Sequence, residues 1–443
     1  MAIRYLLADN DMTLMDFHAA ERKALQEALT LFGIPTTEET CRLYHEINQA
    51  QWKKLERGET TRARLRHDRW AELLQAMGMD DARADEMSRV YARQLGTHPD
   101  LLPGAMAFLR AVHPQMKIAL VSNGFSAIQR GRLSLSPIAD ELDAVLISQE
   151  VGADKPDPAI VYAALKALGC TDPSEAVLLG DSASADIACA KNAGIRCIHL
   201  QPEGRFAEAA DWGVTDLRQA AALLTGSDEA WQHAVLALCR EYDAQLFAGE
   251  SSGHDLQHTL RVERTAAAIA AAEGGDLFTV RLAALLHDAD DGKLFDTAES
   301  MAHARGFMAD IGLTEAEADR VCGVIRTVGF KGGHNAPPDS VEGRIVQDAD
   351  RLDAIGAIGI GRAFAYGGAH GRAMHLPEEK PAEFLTAEAY ASAQGTTINH
   401  FYEKLLLLKD RMTTSAGKAM AERRHAYMEA FLKEFYAEWN GEK

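Results

Sequence analysis

The chain has 443 residues, of which 47% are hydrophobic and 25% are charged, a composition typical of globular proteins that excludes collagen-like, disulfide-scaffold and disordered chains. At roughly 150 residues per domain, the length predicts two or three domains. The 65 acidic residues outnumber the 46 basic ones and give a net charge of −19. This charge disfavours polymeric nucleic acid and anionic membranes as partners, although a bound metal ion can locally reverse the sign for small phosphates.

The cysteines and the apolar runs indicate the compartment. The 6 cysteines never form a C-x-x-C pair, which suits reduced and mostly buried thiols. The apolar stretch near the amino terminus stops at Asp9, too early for a signal peptide, and no apolar run approaches the ~20 residues of a membrane-spanning helix. We therefore expect a cytoplasmic protein that neither spans nor binds a membrane.

Short apolar runs rich in β-branched residues alternate with helical patterns in the first 200 residues. The runs lie at 3–8, 117–121, 144–147, 176–179 and 196–200. Such alternation predicts a doubly wound parallel sheet, a Rossmann-like α/β fold. Residues 16–103 show helical periodicity and no strand, so we interpret them as a helical cap inserted after the first strand.

Beyond residue 200 the strand-like runs stop, and a segment rich in glycine and proline follows. From about residue 230 the patterns are helical throughout, for example at 259–272, 277–287, 314–328 and 398–439. This change of character predicts a domain boundary near residue 226. The predicted domains are an α/β domain at 1–226, with its core at 1–15 and 104–226, and an all-α domain at 227–443.

Polar residues follow four of the predicted strands, at the ends that open onto the ligand crevice of a doubly wound sheet. They are Asp9, Asp11, Ser122, Asn123, Lys155, Asp181 and Asp186. Two carboxylates two residues apart can flank a metal ion or act as nucleophile and acid. For an isolated pair of this kind, an acidic turn in which Asp11 caps a helix is an equally good interpretation.

Together these strand ends carry D-x-D-x-T, a serine, a lysine and G-D-x-x-x-D in that order, and residues 1–225 resemble the haloacid-dehalogenase-like phosphatase superfamily. The resemblance implies that Asp9 attacks phosphorus to form an aspartyl-phosphate, and that Asp11 protonates the leaving alkoxide and then activates water. Ser122 and Lys155 would hold the phosphoryl oxygens, with Asn123 in the same phosphate-binding turn.

The same resemblance implies a magnesium site. Mg²⁺ would bind Asp9, the backbone carbonyl of Asp11, Asp181 and Asp186. The cap segment is similar to that of pyrimidine 5′-nucleotidase-type phosphatases, with aromatic residues at Phe17, Tyr44 and Trp52. For any single aromatic residue of a helical cap, packing in the core is the more common alternative to stacking on a base.

The helical half contains a second set of polar residues, His258 in H-x-x-R-V, the adjacent pair His287-Asp288, and Asp350. Two imidazoles and two carboxylates suit a divalent transition metal. Because this set contains no cysteine, it does not resemble a structural zinc site. Two neighbours compete for places in this set. They are His254, which competes with His258, and Asp348, which competes with Asp350.

Residues 235–440 resemble the HD-domain metal-dependent phosphohydrolases, and their motifs are similar to those of bacterial nucleotide pyrophosphohydrolases. The resemblance implies that His258, His287, Asp288 and Asp350 bind Mn²⁺ or another divalent transition metal. Asp291 is the candidate for orienting the attacking water. The candidates for holding a polyphosphate are Arg261, Lys293, Lys331 and Arg351, and a salt bridge to the surplus acids is an equal alternative for each.

The leading hypothesis is a bifunctional phosphohydrolase for nucleotides. The HD half would cleave a nucleoside triphosphate to monophosphate and pyrophosphate, and the first half would dephosphorylate the monophosphate. One alternative is a pair of phosphatases for non-nucleotide metabolites, because fold does not fix substrate. Another is that one half senses nucleotides and regulates the other. The expected partner is a small phosphorylated substrate, and the sequence leaves a homo-oligomer open.

Overall fold

The computed structural model describes residues 3–249, 255–292, 294–328, 338–382 and 395–442. The chain divides into two compact units, Met1–Trp231 and Gln232–Lys443. His254, Lys293, Lys331 and the glycine-rich motif around Lys331 lie outside the described residues. Within the described ranges, no helix combines the length and the hydropathy that a membrane crossing requires.

The first unit is built on a six-stranded sheet, with every neighbouring pair parallel, in the order β3-β2-β1-β4-β5-β6. The strands are β1 (Tyr5–Ala8), β2 (Lys117–Ser122), β3 (Ala144–Ile147), β4 (Ala176–Gly180), β5 (Arg196–Leu200) and β6 (Trp212–Val214). The predicted α/β fold is confirmed. The strand β6 was not predicted, because three residues are too few to show an alternation of polar and apolar side chains.

Helices cover both faces of this sheet, which explains why its central strand is apolar throughout. The helices of the first unit are α1 (Phe17–Leu31), α2 (Glu38–Glu56), α3 (Arg62–Ala76), α4 (Ala84–Leu95), α5 (Ala105–Val112), α6 (Ser126–Ser134), α7 (Ser148–Val151), α8 (Ala159–Leu168), α9 (Ala188–Ala193) and α10 (Leu217–Thr225). The four helices α1 to α4 form the cap. The side chains of Leu6 and Leu7 on β1 are completely buried.

The cap has a core of its own, centred on three buried aromatic rings. The ring of Tyr44 lies 4.8 Å from that of Trp70 and 5.5 Å from that of Tyr91. Tyr44 is fully buried and therefore packs in the cap core. Trp52 is different, since its ring lies 5.8 Å from that of Phe125 on the α/β core.

Two short connections join the cap to the α/β core, and they run side by side. The backbone N–H of Asp16 donates to the carbonyl of Asp100 at 3.0 Å, and that of Leu102 donates to the carbonyl of Leu14 at 2.9 Å. The first connection also pairs with itself, through a bridge between Asp11 and Met15. The cap is therefore attached through the same loop that carries Asp11.

The second unit is helical, as predicted. Its helices are α11 (Glu229–Leu246, which begins in the first unit), α12 (Leu256–Glu273), α13 (Leu277–Leu286), α14 (Ala302–Asp310), α15 (Glu315–Ile325), α16 (Val341–Asp353), α17 (Gly356–Ala369), α18 (Thr397–Glu403) and α19 (Ser415–Trp439). Helix α12 packs against α13 and α16. The helical pattern at 398–439 is not one helix, because α18 and α19 are separated by a 3₁₀ segment, Leu405–Arg411.

The break before α19 is stabilised by a buried carboxylate on α16. Asp348 is fully buried and accepts hydrogen bonds from the backbone N–H groups of Thr413 and Thr414, at 3.0 and 2.7 Å, and from both threonine hydroxyls. Thr414 in turn caps α19 by accepting from the N–H of Gly417 at 3.0 Å. Asp348 therefore has a structural role, since it holds the start of α19 against α16.

We predict that Asp348→Asn lowers the free energy of unfolding by about 1–3 kcal/mol, because an amide nitrogen cannot accept these hydrogen bonds and leaves buried donors unpaired. Urea denaturation of the full chain measures the change. Asp339→Asn is the matched control, since Asp339 is exposed and loses the same charge. Equal stability of the two variants would contradict the prediction.

Candidate active sites

Three carboxylates meet at the carboxyl end of the sheet in the first unit. One oxygen from each of Asp9, Asp181 and Asp186 lies within 4.8 Å of the others. The strand register explains the first two, because Asp9 follows β1 and its N–H donates to the carbonyl of Leu179 on β4 at 2.9 Å. Asp181 follows β4 directly, so the parallel pairing brings both side chains to one edge.

Asp186 reaches the same edge through a π-helical turn at Ala183–Ile187. Its Oδ2 accepts a hydrogen bond from the N–H of Ser182 at 2.9 Å. A Cβ atom at Gly180 would lie 2.3 Å from Cγ of Asp186, far inside van der Waals contact. Glycine at position 180 therefore makes the room that the third carboxylate occupies.

Lys155 lies among these carboxylates and is almost completely buried. Its Nζ donates to Oδ1 of Asp9 at 2.5 Å, to Oδ1 of Asp186 at 2.6 Å and to the carbonyl of Val121 at 3.0 Å. Burial opposes the charge on Lys155, but Asp186 and Asp9 outweigh it and raise the pKa of the ammonium group. The lysine is therefore held as a cation.

The electrostatics of the cluster favour a divalent cation. Burial raises the pKa of Asp9 well above its ordinary value, against the opposing effect of Lys155. Burial and the Asp186 carboxylate raise the pKa of Asp181 to about 7. Three carboxylates and one ammonium group leave two negative charges when all are ionised. An all-oxygen donor set of this charge fits Mg²⁺, which would favour the ionised carboxylates.

The side chain of Asp11 is held by two residues of α6 that the sequence reasoning missed. Gln129 donates from Nε2 to Oδ2 of Asp11 at 2.6 Å, and its Oε1 accepts from the amide of Asn10 at 2.5 Å. Arg132 is fully buried; its Nη1 forms an ion pair with Oδ1 of Asp11, and its Nε donates to the carbonyl of His98 at 3.0 Å. Their spacing of three residues on one helix gives a polar face, but nothing in the sequence connects it with Asp11.

Ser122 is the last residue of β2, one residue beyond the predicted end of this strand, and Asn123 follows it. The Oγ of Ser122 accepts from the N–H of Gly124 at 3.1 Å. The amide of Asn123 forms two bonds to the backbone of Lys155, accepting from its N–H at 2.8 Å and donating to its carbonyl at 2.9 Å. Asn123 therefore fixes the loop that carries Lys155.

Arg62 was also missed, because it lies far away in the sequence, on α3 of the cap. Its Nη2 donates to Oγ of Ser148 at 2.7 Å and to the carbonyl of Asn123 at 3.0 Å. It also forms an ion pair with Asp154, next to Lys155. A cap residue thus binds two of the loops at the carboxyl end of the sheet.

The second unit brings together residues from α12, the end of α13 and α16. Nε2 of His258 lies 3.3 Å from Nε2 of His287, 3.5 Å from Oδ2 of Asp288 and 3.4 Å from Oδ1 of Asp350. Ligand atoms of the first three lie within 4.8 Å of one another. Asp350 also lies 3.8 Å from Nε2 of His287. Two imidazoles and two carboxylates around one point fit a divalent transition metal.

Asp353, one turn beyond Asp350, orients the first of these histidines and was not predicted. Its Oδ2 lies 2.8 Å from Nδ1 of His258, so that Nε2 faces the cluster. Arg261 binds Asp353 with two N–H groups, at 2.7 and 2.9 Å, and Arg362 binds it at 2.6 Å. Such a carboxylate fixes the tautomer and the ring plane of a metal-binding histidine.

These contacts set the charge of the cluster. Burial disfavours the charged form of His258, but the hydrogen bonds to Asp350 and Asp353 raise its pKa to about 9. Burial acts against ionisation of Asp353 as well, but His258 and Arg261 hold its pKa below the ordinary value. Without a metal ion, His258 is therefore protonated near neutral pH. A divalent cation at this point would take the place of that proton.

The remaining predicted residues of the second unit have these positions. Asp291 lies in the turn after Asp288, and its N–H donates to the carbonyl of Asp288 at 3.1 Å. Arg351 donates from Nη1 to the carbonyl of Arg411. Asp348, the competitor of Asp350, accepts hydrogen bonds from Thr414 before α19.

Comparisons with known proteins agree with this division. The family model for haloacid dehalogenase-like hydrolases matches residues 6–200, and the HD domain model matches residues 255–355. The chain is 30% identical over 226 residues to the pyrimidine 5′-nucleotidase YjjG of Escherichia coli. The aligned region covers 50% of this chain and 97% of YjjG. It is 41% identical over 198 residues to the uncharacterized protein YpgQ of Bacillus subtilis. This aligned region covers 44% of this chain and 89% of YpgQ.

Among solved structures, an HD-superfamily hydrolase from Bacillus thuringiensis is 37% identical, with a TM-score of 0.38, and covers 47% of this chain and 98% of its own.

A further carboxyl group lies close to the second cluster. Asp243, on α11, is fully buried, and neither of its oxygens accepts a hydrogen bond from the described residues. Burial, with the nearby carboxylates of Asp288 and Glu263, raises its pKa to about 8. The folded unit therefore favours the protonated form of this residue at neutral pH.

We predict that Asp243→Asn stabilises the metal-free protein, and more so at pH 8 than at pH 5. An aspartate ionises near pH 4 in an unfolded chain, so the native state binds an extra proton from there up to about 8 and loses stability as the pH rises through that window. Asparagine removes this loss, which at about 1.4 kcal/mol per pH unit is of the order of 4 kcal/mol between pH 5 and pH 8.

Urea denaturation of the full chain in EDTA at the two pH values measures the effect. Asp339→Asn, at an exposed position, controls for the loss of one carboxylate. The prediction is wrong if the Asp243→Asn variant keeps the pH dependence of the wild type.

Proposed function

Since the chain belongs to the haloacid dehalogenase-like hydrolases in its first unit and to the HD domain family in its second, and is therefore a phosphohydrolase, we propose that it degrades nucleotides in two consecutive steps. The second unit cleaves a nucleoside triphosphate to monophosphate and pyrophosphate, and the first unit dephosphorylates the monophosphate. The observation that carries this proposal is that each unit has its own cluster of groups suited to a divalent cation. The similarity to a pyrimidine 5′-nucleotidase supports a nucleotide substrate.

In the first unit, the proposed nucleophile is Asp9. Its carboxylate attacks phosphorus, the phosphorus–ester oxygen bond breaks, and Asp11 protonates the departing alkoxide. Asp11 then removes a proton from the water that hydrolyses the aspartyl-phosphate. Ser122 and Lys155 hold the phosphoryl oxygens. Asp9, the carbonyl of Asp11, Asp181 and Asp186 would hold Mg²⁺, which neutralises the charge of the phosphoryl group.

In the second unit, His258, His287, Asp288 and Asp350 would hold Mn²⁺ or a similar metal, which polarises a phosphoryl oxygen and lowers the pKa of bound water. Asp291 orients the attacking water. Arg261 uses two of its five N–H groups on Asp353, so three remain for a phosphate. Arg351, Lys293 and Lys331 complete the proposed polyphosphate contacts.

We predict that the two steps separate in variants with one site disabled. Asp9→Asn, which lacks the nucleophile, accumulates nucleoside monophosphate and pyrophosphate from a triphosphate. Asp288→Ala, which lacks a metal ligand, stops triphosphate turnover and keeps monophosphate hydrolysis. Chromatography of the products of a nucleotide panel, with Mg²⁺ or Mn²⁺ present, measures both. Release of nucleoside by Asp9→Asn, or loss of monophosphate hydrolysis in Asp288→Ala, would contradict the proposal.

We also predict that Arg132 positions Asp11 for proton transfer to the leaving group. Arg132→Gln should lower kcat/KM for a nucleoside monophosphate by about 10- to 100-fold. It should affect p-nitrophenyl phosphate by less than about 3-fold, because nitrophenolate is a weak base that leaves with little protonation. The ratio of the two kcat/KM values is the measurement.

Arg130→Gln is the matched control for this ratio. Arg130 lies on the same helix but binds the exposed carboxylate of Glu150. Arg130→Gln should therefore leave kcat/KM unchanged for both substrates. An equal loss on both substrates in Arg132→Gln would show a merely structural role and would contradict the prediction.

A further inference from the structure

A cavity of about 340 Å³ in the second unit has an unexpected charge for so acidic a protein. It is lined by Arg240, Leu260, Glu263, Arg264, Ala267 and Arg281. Three guanidinium groups and one carboxylate leave an excess of two positive charges. The volume lies within the range of small-molecule sites, so this cavity combines the charge and the size of a site for a small anion.

Glu263 holds two of the arginines side by side. It is buried, and Arg240, from α11, donates to it from Nη2 at 2.6 Å and from Nε at 3.2 Å. Arg281, from α13, donates from Nε at 2.9 Å, and its Nη2 lies 2.7 Å from the same carboxylate. One carboxylate neutralises only one of the two cations. Each guanidinium has three further N–H groups, and its contacts with Glu263 fix the direction in which they point.

Arg264 adds a third positive charge at the rim. Its side chain is exposed, and no described residue forms an ion pair with it. Leu260, Arg264 and Ala267 are spaced by four and three residues, so they share one face of α12. His258 projects from the opposite side of that helix at 100° per residue, so the cavity is separate from the metal-binding cluster.

We propose that this cavity binds a small organic phosphate. Arg240, Arg264 and Arg281 bind the phosphate group, because guanidinium forks match its oxygens in geometry and charge. Leu260 and Ala267 provide the apolar wall for the organic part. The proposal does not depend on the function proposed above, since none of these residues belongs to either cluster.

Titration calorimetry of the full chain with uridine monophosphate tests this site. The experiment is done in EDTA, so that neither carboxylate cluster binds the phosphate through a metal ion. The wild type should bind the nucleotide, and added salt should weaken the binding. Arg264→Glu should weaken it by about 10-fold or more, and Arg240→Gln should weaken it in the same direction.

Arg320→Glu is the matched control, because Arg320 is an exposed arginine of the same unit and the substitution changes the net charge equally. It should bind the nucleotide like the wild type. Equal affinities of Arg264→Glu and Arg320→Glu would overturn the site. Equal binding of uridine would overturn the role of the phosphate, and equally tight binding of inorganic phosphate would overturn the assignment to an organic ester.

Discussion

The shared ammonium group of Lys155 is the interaction on which the first unit depends. The three carboxylates at one sheet edge repel one another, and the two buried ones, Asp9 and Asp186, lose hydration. The hydrogen bonds of Lys155 to these two carboxylates offset part of this cost. The lysine is itself kept in place by Asn123, whose amide binds its backbone on both sides. A lysine contributed by a loop thus neutralises one of the three carboxylates of the cluster.

The second unit meets the same constraint with different chemistry. Here the cation is the imidazolium of His258, which lies between Asp350 and Asp353. A metal ion at the second cluster would take the place of the proton on His258, whereas the ammonium group of Lys155 would keep its charge beside a metal ion bound at the first cluster. The two units therefore differ in the group that a divalent cation would deprotonate on binding. In the second unit it is the imidazolium of His258, and in the first unit it is the carboxyl groups of Asp9 and Asp181, whose pKa values are raised.

The sequence predicted the fold class and the parts of the site that follow directly from strands or form compact motifs. Asp9 and Asp181 follow strands, and parallel strands bring their ends together whatever the rest of the chain does. Arg132 and Asp353 could not be found in this way, because their partners lie 121 and 95 positions away and no local pattern marks a positioning residue. The break before α19 was missed for the same reason, since its stabilising carboxylate lies on another helix.

The paired connections between the cap and the α/β core have a mechanical consequence. The residues that would bend in a rotation of the cap include the loop from Asp11 to Asp16, which is hydrogen-bonded to the second connection at Asp100. The hinge of the cap and the support of Asp11 are thus one piece of backbone. A rotation of the cap about these connections would therefore also move the backbone of Asp11, and in the proposed mechanism this would couple substrate access to proton transfer.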